Sequence, residues 1–312
     1  MTVTALSQTT LLIELESVVE RNLERHLGMA KEWFPHEYVP WSEGRDFDGP
    51  LGGTAWSPED STIPDVARTA LVVNLLTEDN LPSYHHEIAT LFGRDGAWGT
   101  WVHRWTAEEG RHAIAIRDYL TVTRTVDPVA LERARMTHMS EGYVNVHNDE
   151  VLHSLAYVSF QELATRISHR NTGKVTGDPA GEALLARVAA DENLHMVFYR
   201  NLLGAAFELA PSQAMRAVAD VVAEFQMPGV GIEGFARKSV SIALAGIYDL
   251  RQHRDEVVAP VLRQWDVWNV TGLDADGEAA REDLARHLDE LERAASRFEE
   301  KRDARQNRLT AG

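Results

Sequence analysis

Glu192 and His195 stand three residues apart in Asp191-Glu192-Asn193-Leu194-His195, inside a long run that reads as helix. On an α-helix that spacing sets the two side chains about 60° apart on one face. A carboxylate and an imidazole so placed can hold one metal ion between them. The pair alone carries little weight, because 48 acids and 13 histidines in 312 residues give 48 × 13 / 312 = 2 such spacings by chance. The sequence contains three: Glu109…His112, Glu150…His153 and Glu192…His195. Position separates them. Glu78 precedes Glu109 by 31 residues and Glu162 precedes Glu192 by 30, and the two halves are offset by 162 − 78 = 84 and 192 − 109 = 83. The chain thus repeats a pattern, a helix with one Glu followed by a helix with Glu-x-x-His. Glu150…His153 stands outside it, since nine residues, about 900° of rotation, put His153 on the face opposite Glu162.

Folded antiparallel, four such helices bring Glu78, Glu109, His112, Glu162, Glu192 and His195 into one interior, the constellation of a di-iron carboxylate bundle. Carboxylates are hard donors that can bridge two ions, and imidazole suits iron while leaving positions open for dioxygen. Four carboxylates neutralise two Fe(II) ions, so the filled site can be buried without net charge. Empty, the same acids repel one another in a low-dielectric core. Glu108 and Asp191 precede the two motif glutamates and are i−4 to the same histidines. Spacing alone leaves open which acid of each pair is the ligand.

The positioning elements are legible too. Leu11, Leu12, Leu15, Val18, Val19, Leu23 and Leu27 recur at three and four, an amphipathic helix for which Gly28 is the predicted stop. From Trp33 to Pro64, repeated proline and glycine breaks (Pro35, Pro40, Gly44, Gly49-Pro50, Gly52-Gly53, Pro58) predict a long irregular connection. Connections of that length wrap something or do something. Asp65 is the predicted cap of the helix carrying Glu78. Further helices are predicted over 83–92, 97–126, 127–140, 151–170 and then up to Pro211, with the polar stretch 142–149 irregular. Helices over 212–225, 232–250 and 256–267 follow, and a charged one over 278–308. With no alternating strand pattern and no Ser/Gly linker, the expectation is a single all-α domain over 1–312. Residues 1–64 form its first helix and wrap, 65–210 the di-iron core, and 211–312 additional packing helices.

Composition excludes several classes. Lys+Arg 31 against Asp+Glu 48 gives −17, which argues against a nucleic-acid surface. The chain has no cysteine, hence no disulfide, thiol nucleophile or iron–sulfur cluster of its own. Electrons for any redox step must come from a separate carrier. No apolar run of about 18 residues predicts a membrane span, and Met1 is not followed by a signal-peptide pattern, so the expected location is cytoplasmic.

Several motifs together resemble those of the soluble acyl-acyl-carrier-protein desaturases, actinobacterial members most of all. They are Lys31-Glu32-Trp33-Phe34-Pro35, Thr77-Glu78-Asp79-Asn80-Leu81-Pro82, Trp105-Thr106-Ala107-Glu108-Glu109-Gly110-Arg111-His112, Ser159-Phe160-Gln161-Glu162-Leu163-Ala164-Thr165 and the Asp191–His195 segment. The likeness runs from the first helix to about Asp266. It implies a ferritin-like four-helix bundle with additional helices and two Fe(II) ions on Glu78, Glu109, His112, Glu162, Glu192 and His195. It resolves the tie as well, making Asp191, with Trp33, a support of the site rather than a ligand, and setting Thr165 beside the oxygen-binding position. Gly110 departs from the asparagine usual there, at a helix-propensity cost of about 1 kcal/mol.

The activity implied is O2-dependent insertion of a cis double bond into an acyl chain on acyl carrier protein, with ferredoxin as donor and a homodimer as the working form. A ferritin-like hydroxylase or oxygenase, or a non-desaturating iron-binding paralogue, would share the six ligands; the long wrap and extra helices argue against a storage cage. Both proposed protein partners are acidic, so docking on this acidic chain requires a local cationic patch. Candidates are Arg237-Lys238, Arg251/Arg254 and Arg166/Arg170/Lys174.

Overall fold

A computed structural model describes residues 5–144 and 149–310, so part of the polar stretch 142–149 lies outside the described residues. Helix α1 (Gln8–Met29) opens where Ser7 Oγ accepts from the Thr10 N–H (3.1 Å), and its three-and-four stripe buries Leu11, Leu15, Val19 and Leu23. It passes through Gly28, around which there is open space, and stops two residues later than predicted. The wrap that follows contains three short 3-10 turns, Pro35–Glu37, Trp41–Glu43 and Pro58–Asp60.

Next come α2 (Asp65–Asp79), α3 (Leu81–Phe92), α4 (Gly96–Val122) and α5 (Pro128–Glu141). Asp65 is the first residue of α2 and not its cap, which is Pro64; its charge still favours the helix N-terminus. The remaining helices are α6 (Val151–Thr176), α7 (Pro179–Leu209), α8 (Pro211–Glu224), α9 (Phe235–Leu244), α10 (Leu250–Gln252), α11 (Ala259–Trp265) and α12 (Ala275–Thr310). A π-helical turn, His253–Val258, joins α10 to α11 just before Pro260, which lacks an N–H to continue the ladder. Among the described residues there is no strand, only an isolated bridge between Phe47 and Thr54. None of the described helices is long and apolar enough to cross a membrane.

The bundle consists of α2, α4, α6 and α7. Helices α6 and α7 form a hairpin turned by Gly177 (φ 64°) and capped by Asp178, which accepts from Gly181 N at 3.0 Å. Helix α6 runs six residues past its predicted limit at 170, and at Gly173 within that extension a Cβ would lie 3.2 Å from both Glu182 Cα and Leu185 Cβ. Glycine lets the two helices approach. Across the bundle Trp101 of α4 lies flat on Phe198 of α7, with centroids 3.5 Å apart. Helix α1 packs on α4 and α7, α3 on α4, α8 on α6, and α12 along α8. The predicted 232–250 helix shrinks to Phe235–Leu244, since Gly234 (φ 69°) and Gly246 (φ 71°) adopt left-handed backbone on either side.

Helix α4 ends four residues before its predicted limit, and Arg124 explains why. It takes a left-handed φ of 53° and is 2% exposed. Its Nε donates to Asp60 Oδ2 (3.0 Å) and its Nη2 to the carbonyls of Thr54 (3.1 Å) and Ala55 (2.9 Å). The Trp56 indole donates back to the Arg124 carbonyl at 2.9 Å. Left-handed backbone costs about 1–2 kcal/mol, while each hydrogen bond to a charged group contributes about 1.5–3 kcal/mol, so the tether prevails. Arg124→Ala is expected to lower the unfolding free energy by about 3 kcal/mol and to expose the 40–60 region to limited proteolysis, both measurable against the parent protein in urea titration and digestion.

Candidate metal centre

Each bundle helix delivers its share of donors. Helix α2 brings Glu78, α4 brings Glu109 and His112, α6 brings Glu162, and α7 brings Glu192 and His195. All six are buried, both imidazoles completely. They fall into two groups whose donor atoms lie within 4.8 Å of one another: Glu78, Glu109, His112 and Glu192, and Glu109, Glu162, Glu192 and His195. Glu109 and Glu192 belong to both. The arrangement is that of two adjacent cation positions with two shared carboxylates.

Several of the donor atoms converge with their hydrogen-bonding capacity unused. His195 Nδ1 comes within 2.7 Å of Glu109 Oε1, yet both atoms, and Glu162 Oε2, are buried without a hydrogen-bond partner. His112 Nδ1 is hydrogen-bonded to Glu109 Oε2 (3.2 Å) and also faces Glu78 (3.6 Å) and Glu192 (3.6 Å). A set of lone pairs directed at common points, with hard oxygens and imidazole nitrogen, fits a pair of divalent iron ions.

The flanking acids cross over. Asp191 of α7 turns to His112 of α4, its Oδ2 lying 3.5 Å from Nε2, and Glu108 of α4 accepts from His195 of α7 at 3.0 Å. Neither acid serves the histidine of its own motif, which the i−4 spacing had left open. Trp33 donates its indole N–H to Asp191 (2.7 Å), and Arg111 (3.2 Å) and Arg187 also grip that carboxylate. On the other side His26 of α1 (2.8 Å) and Arg104 (2.6 Å) hold Glu108. Partners of this kind fix ring orientation and tautomer for a ligating histidine.

Sequence reasoning missed His26, Arg104, Arg187, Trp105 and His169. Trp105 donates to Glu162 Oε1 at 3.1 Å, and His169 Nε2 lies 2.9 Å from Glu78 Oε1. The arginines carried a signal, since Arg104 and Arg187 repeat the 83-residue offset, 187 − 104 = 83. Thr165, one turn past Glu162, bonds back to the carbonyls of Gln161 (3.1 Å) and Glu162 (3.0 Å). It lines a cavity together with Glu78, Glu109, Glu162 and Glu192 and with the apolar Leu81, Ile88, Leu91, Val158 and Pro228. His153 sits elsewhere, 3.2 Å from Asp220 of α8. A Cβ on Gly110 would meet only Leu81 Cδ2, at 3.8 Å, so the glycine relieves no crowding.

The electrostatics follow from burial. It pushes the Glu162 and Glu109 pKa values up, and neighbouring carboxylates push further. Burial would raise Glu192 as well, but the His112 charge and hydrogen bonds from His169 and His195 hold it well below the usual range. Burial alone would discharge His112 and His195, yet the surrounding carboxylates keep both well above 6.5. The metal-free site therefore balances its acids with protons on imidazoles.

The sequence profile of the fatty acid desaturase family matches residues 7–311. The chain is 52% identical over 301 residues to DesA1 of Mycobacterium tuberculosis, named as an acyl-[acyl-carrier-protein] desaturase, covering 94% of this chain and 89% of that one. It is 30% identical over 305 residues to the chloroplastic stearoyl-[acyl-carrier-protein] 9-desaturase of Gossypium hirsutum, covering 92% and 76%. The X-ray structure of DesA2 from M. tuberculosis superposes with a TM-score of 0.70 at 34% identity, covering 84% of this chain and 96% of that one.

Divalent ions loading this site must displace the imidazole protons. Loading of the metal-free protein is expected to release protons and to tighten steadily from about pH 6 to 8. Calorimetric titration with Fe(II) in buffers of different ionisation enthalpy checks both; affinity independent of pH would contradict this account.

Proposed function

Because the chain belongs to the fatty acid desaturase family, we propose that it is a soluble di-iron enzyme that introduces a cis double bond into an acyl chain carried on acyl carrier protein. The observation carrying this reading is the pair of donor groups, sharing Glu109 and Glu192, at the wall of an apolar cavity. In it, Glu78 and His112 would hold one iron, Glu162 and His195 the other, and Glu109 and Glu192, common to both donor groups, would serve both. Iron held there supplies redox chemistry with dioxygen, needed because an unactivated C–H bond offers acid–base catalysis no handle. The balance is two hydrogens from adjacent methylenes, two electrons and two protons from outside, and two waters from each O2. With no cysteine in the chain to hold an iron–sulfur cluster, the electrons arrive from a separate carrier, which the family resemblance implies to be ferredoxin.

The protein's own residues do the positioning. Leu81, Ile88, Leu91, Val158 and Pro228 exclude water and align the methylenes beside the carboxylates. Asp191, held by Trp33, keeps the His112 ring aimed. Burial opposes ionisation of Asp191, but the His112 and Trp33 contacts outweigh it and keep its pKa below the ordinary value. Thr165 lines the cavity one turn past Glu162, and in this reading its hydroxyl passes a proton there.

Iron-loaded protein incubated with acyl-carrier-protein thioesters, ferredoxin, its reductase and oxygen is expected to yield a product lighter by two hydrogens in mass spectrometry. A product heavier by one oxygen would instead make it a hydroxylase. Of the docking candidates, Arg251 is committed to Glu292 (2.7 Å) and Glu299 (3.0 Å), and Arg254 to Glu292 (2.8 Å), all carried by α12. Arg237 is exposed and Lys238 half-buried, both on α9. Arg237→Glu with Lys238→Glu is expected to weaken carrier-protein affinity about tenfold at low salt and to flatten its salt dependence. Unchanged affinity and salt slope would eliminate this patch.

A further inference from the structure

His169 stands apart from the six proposed ligands, and its ring nitrogens join neither converging group. It is 1% exposed on α6, seven residues after Glu162. Its Nε2 lies 2.9 Å from Glu78 Oε1 and 3.5 Å from Glu192 Oε1. Its Nδ1 faces Asn74 Nδ2 at 3.2 Å. Ionised carboxylate oxygens only accept, so Nε2, which faces two of them, carries a proton. Asn74 keeps this orientation because its Oδ1 accepts from Ser168 Oγ (3.3 Å). The imidazole N–H therefore donates to Glu78 Oε1, leaving Glu78 Oε2 facing His112 Nδ1 at 3.6 Å.

Glu78 needs such a partner more than the other carboxylates do. It is the penultimate residue of α2, whereas Glu109, Glu162 and Glu192 lie well inside their helices. A terminal turn frays and restrains its side chains less. We infer that His169 is a positioning residue, fixing Glu78 through one oxygen so that the other is presented to the cation shared with His112. This rests on the di-iron reading above.

His169→Phe keeps a ring of similar bulk and removes the donor; His169→Gln returns an N–H donor. Each is reconstituted anaerobically with Fe(II), and iron per chain and the rate of removal by a chelator are measured. Urea unfolding of the metal-free forms serves as the fold control. Wild type is expected to hold two ions. In the Phe variant one of them is expected to be lost or bound 10–100-fold more weakly, with the Gln variant recovering most of the difference. Two ions with wild-type release in the Phe variant would overturn the inference, as would a folded Gln variant as defective as Phe. Should the Phe variant fail to fold, Asn74→Leu, which frees the His169 ring, is expected to weaken one ion, and wild-type retention there overturns the inference. Absence of iron from the wild type overturns the di-iron reading itself, a distinct result.

Discussion

Four carboxylates share one dry interior, and the rest of this structure answers to that constraint. An ion taken out of water costs several kcal/mol even after relaxation, unless opposite charge and hydrogen bonds compensate. Helices α2, α4, α6 and α7 nevertheless turn Glu78, Glu109, Glu162 and Glu192 toward the same centre, each buried. Imidazoles charged by their neighbours balance these acids when no cation is present. The interior is thus a stretch of fold whose stability depends on what occupies it, and packing elsewhere carries the burden. Trp101 on Phe198 and the close passage of α6 over α7 at Gly173 are parts of that packing.

The bracing is two-fold in plan and unequal in its parts. Asp191 and Glu108 reach across to each other's histidine, so α4 and α7 lock one another's side chains and neither can rotate alone. An indole from the wrap backs one acid, an imidazole from α1 the other. The outer carboxylates show the same inequality, with Trp105 on Glu162 and His169 on Glu78. A repeated ground plan with different outer partners lets two cation positions differ in field and access while using the same ligand types.

The centre was legible from spacing because helices enforce a face. An echo of 83 or 84 residues points to Glu78, His112, Glu162, His195 and one acid of each pair Glu108/Glu109 and Asp191/Glu192, and the bundle brings Glu109 and Glu192 into both donor groups. His169 carried a weaker signal of the same kind: Glu162, Thr165 and His169 stand at intervals of three and four, one face of α6. His26 carried none, since its partner Glu108 is 82 residues away on another helix. Helix ends were read less well, because the left-handed backbone at Arg124 answers to tertiary contacts rather than local pattern, and α1 continues through Gly28 to Met29. The docking residues Arg251 and Arg254 looked available in sequence only because α12, which occupies them, lies some 40 residues downstream.

The tether at Arg124 has a bearing on how this chain can vary. The wrap is fastened twice, by Trp33 beside His112 and by residues 54–60 beside Arg124, and those two points sit twelve residues apart in sequence, one within α4 and one just past its end. Between them, Gly49 and Gly52 face open space and Leu51 is exposed. Length added there leaves both fastenings in place at little entropic cost, whereas a single residue inserted next to Trp33 shifts the indole off Asp191. Relatives of this protein should therefore differ in length at the crest of the wrap and keep its two ends in register.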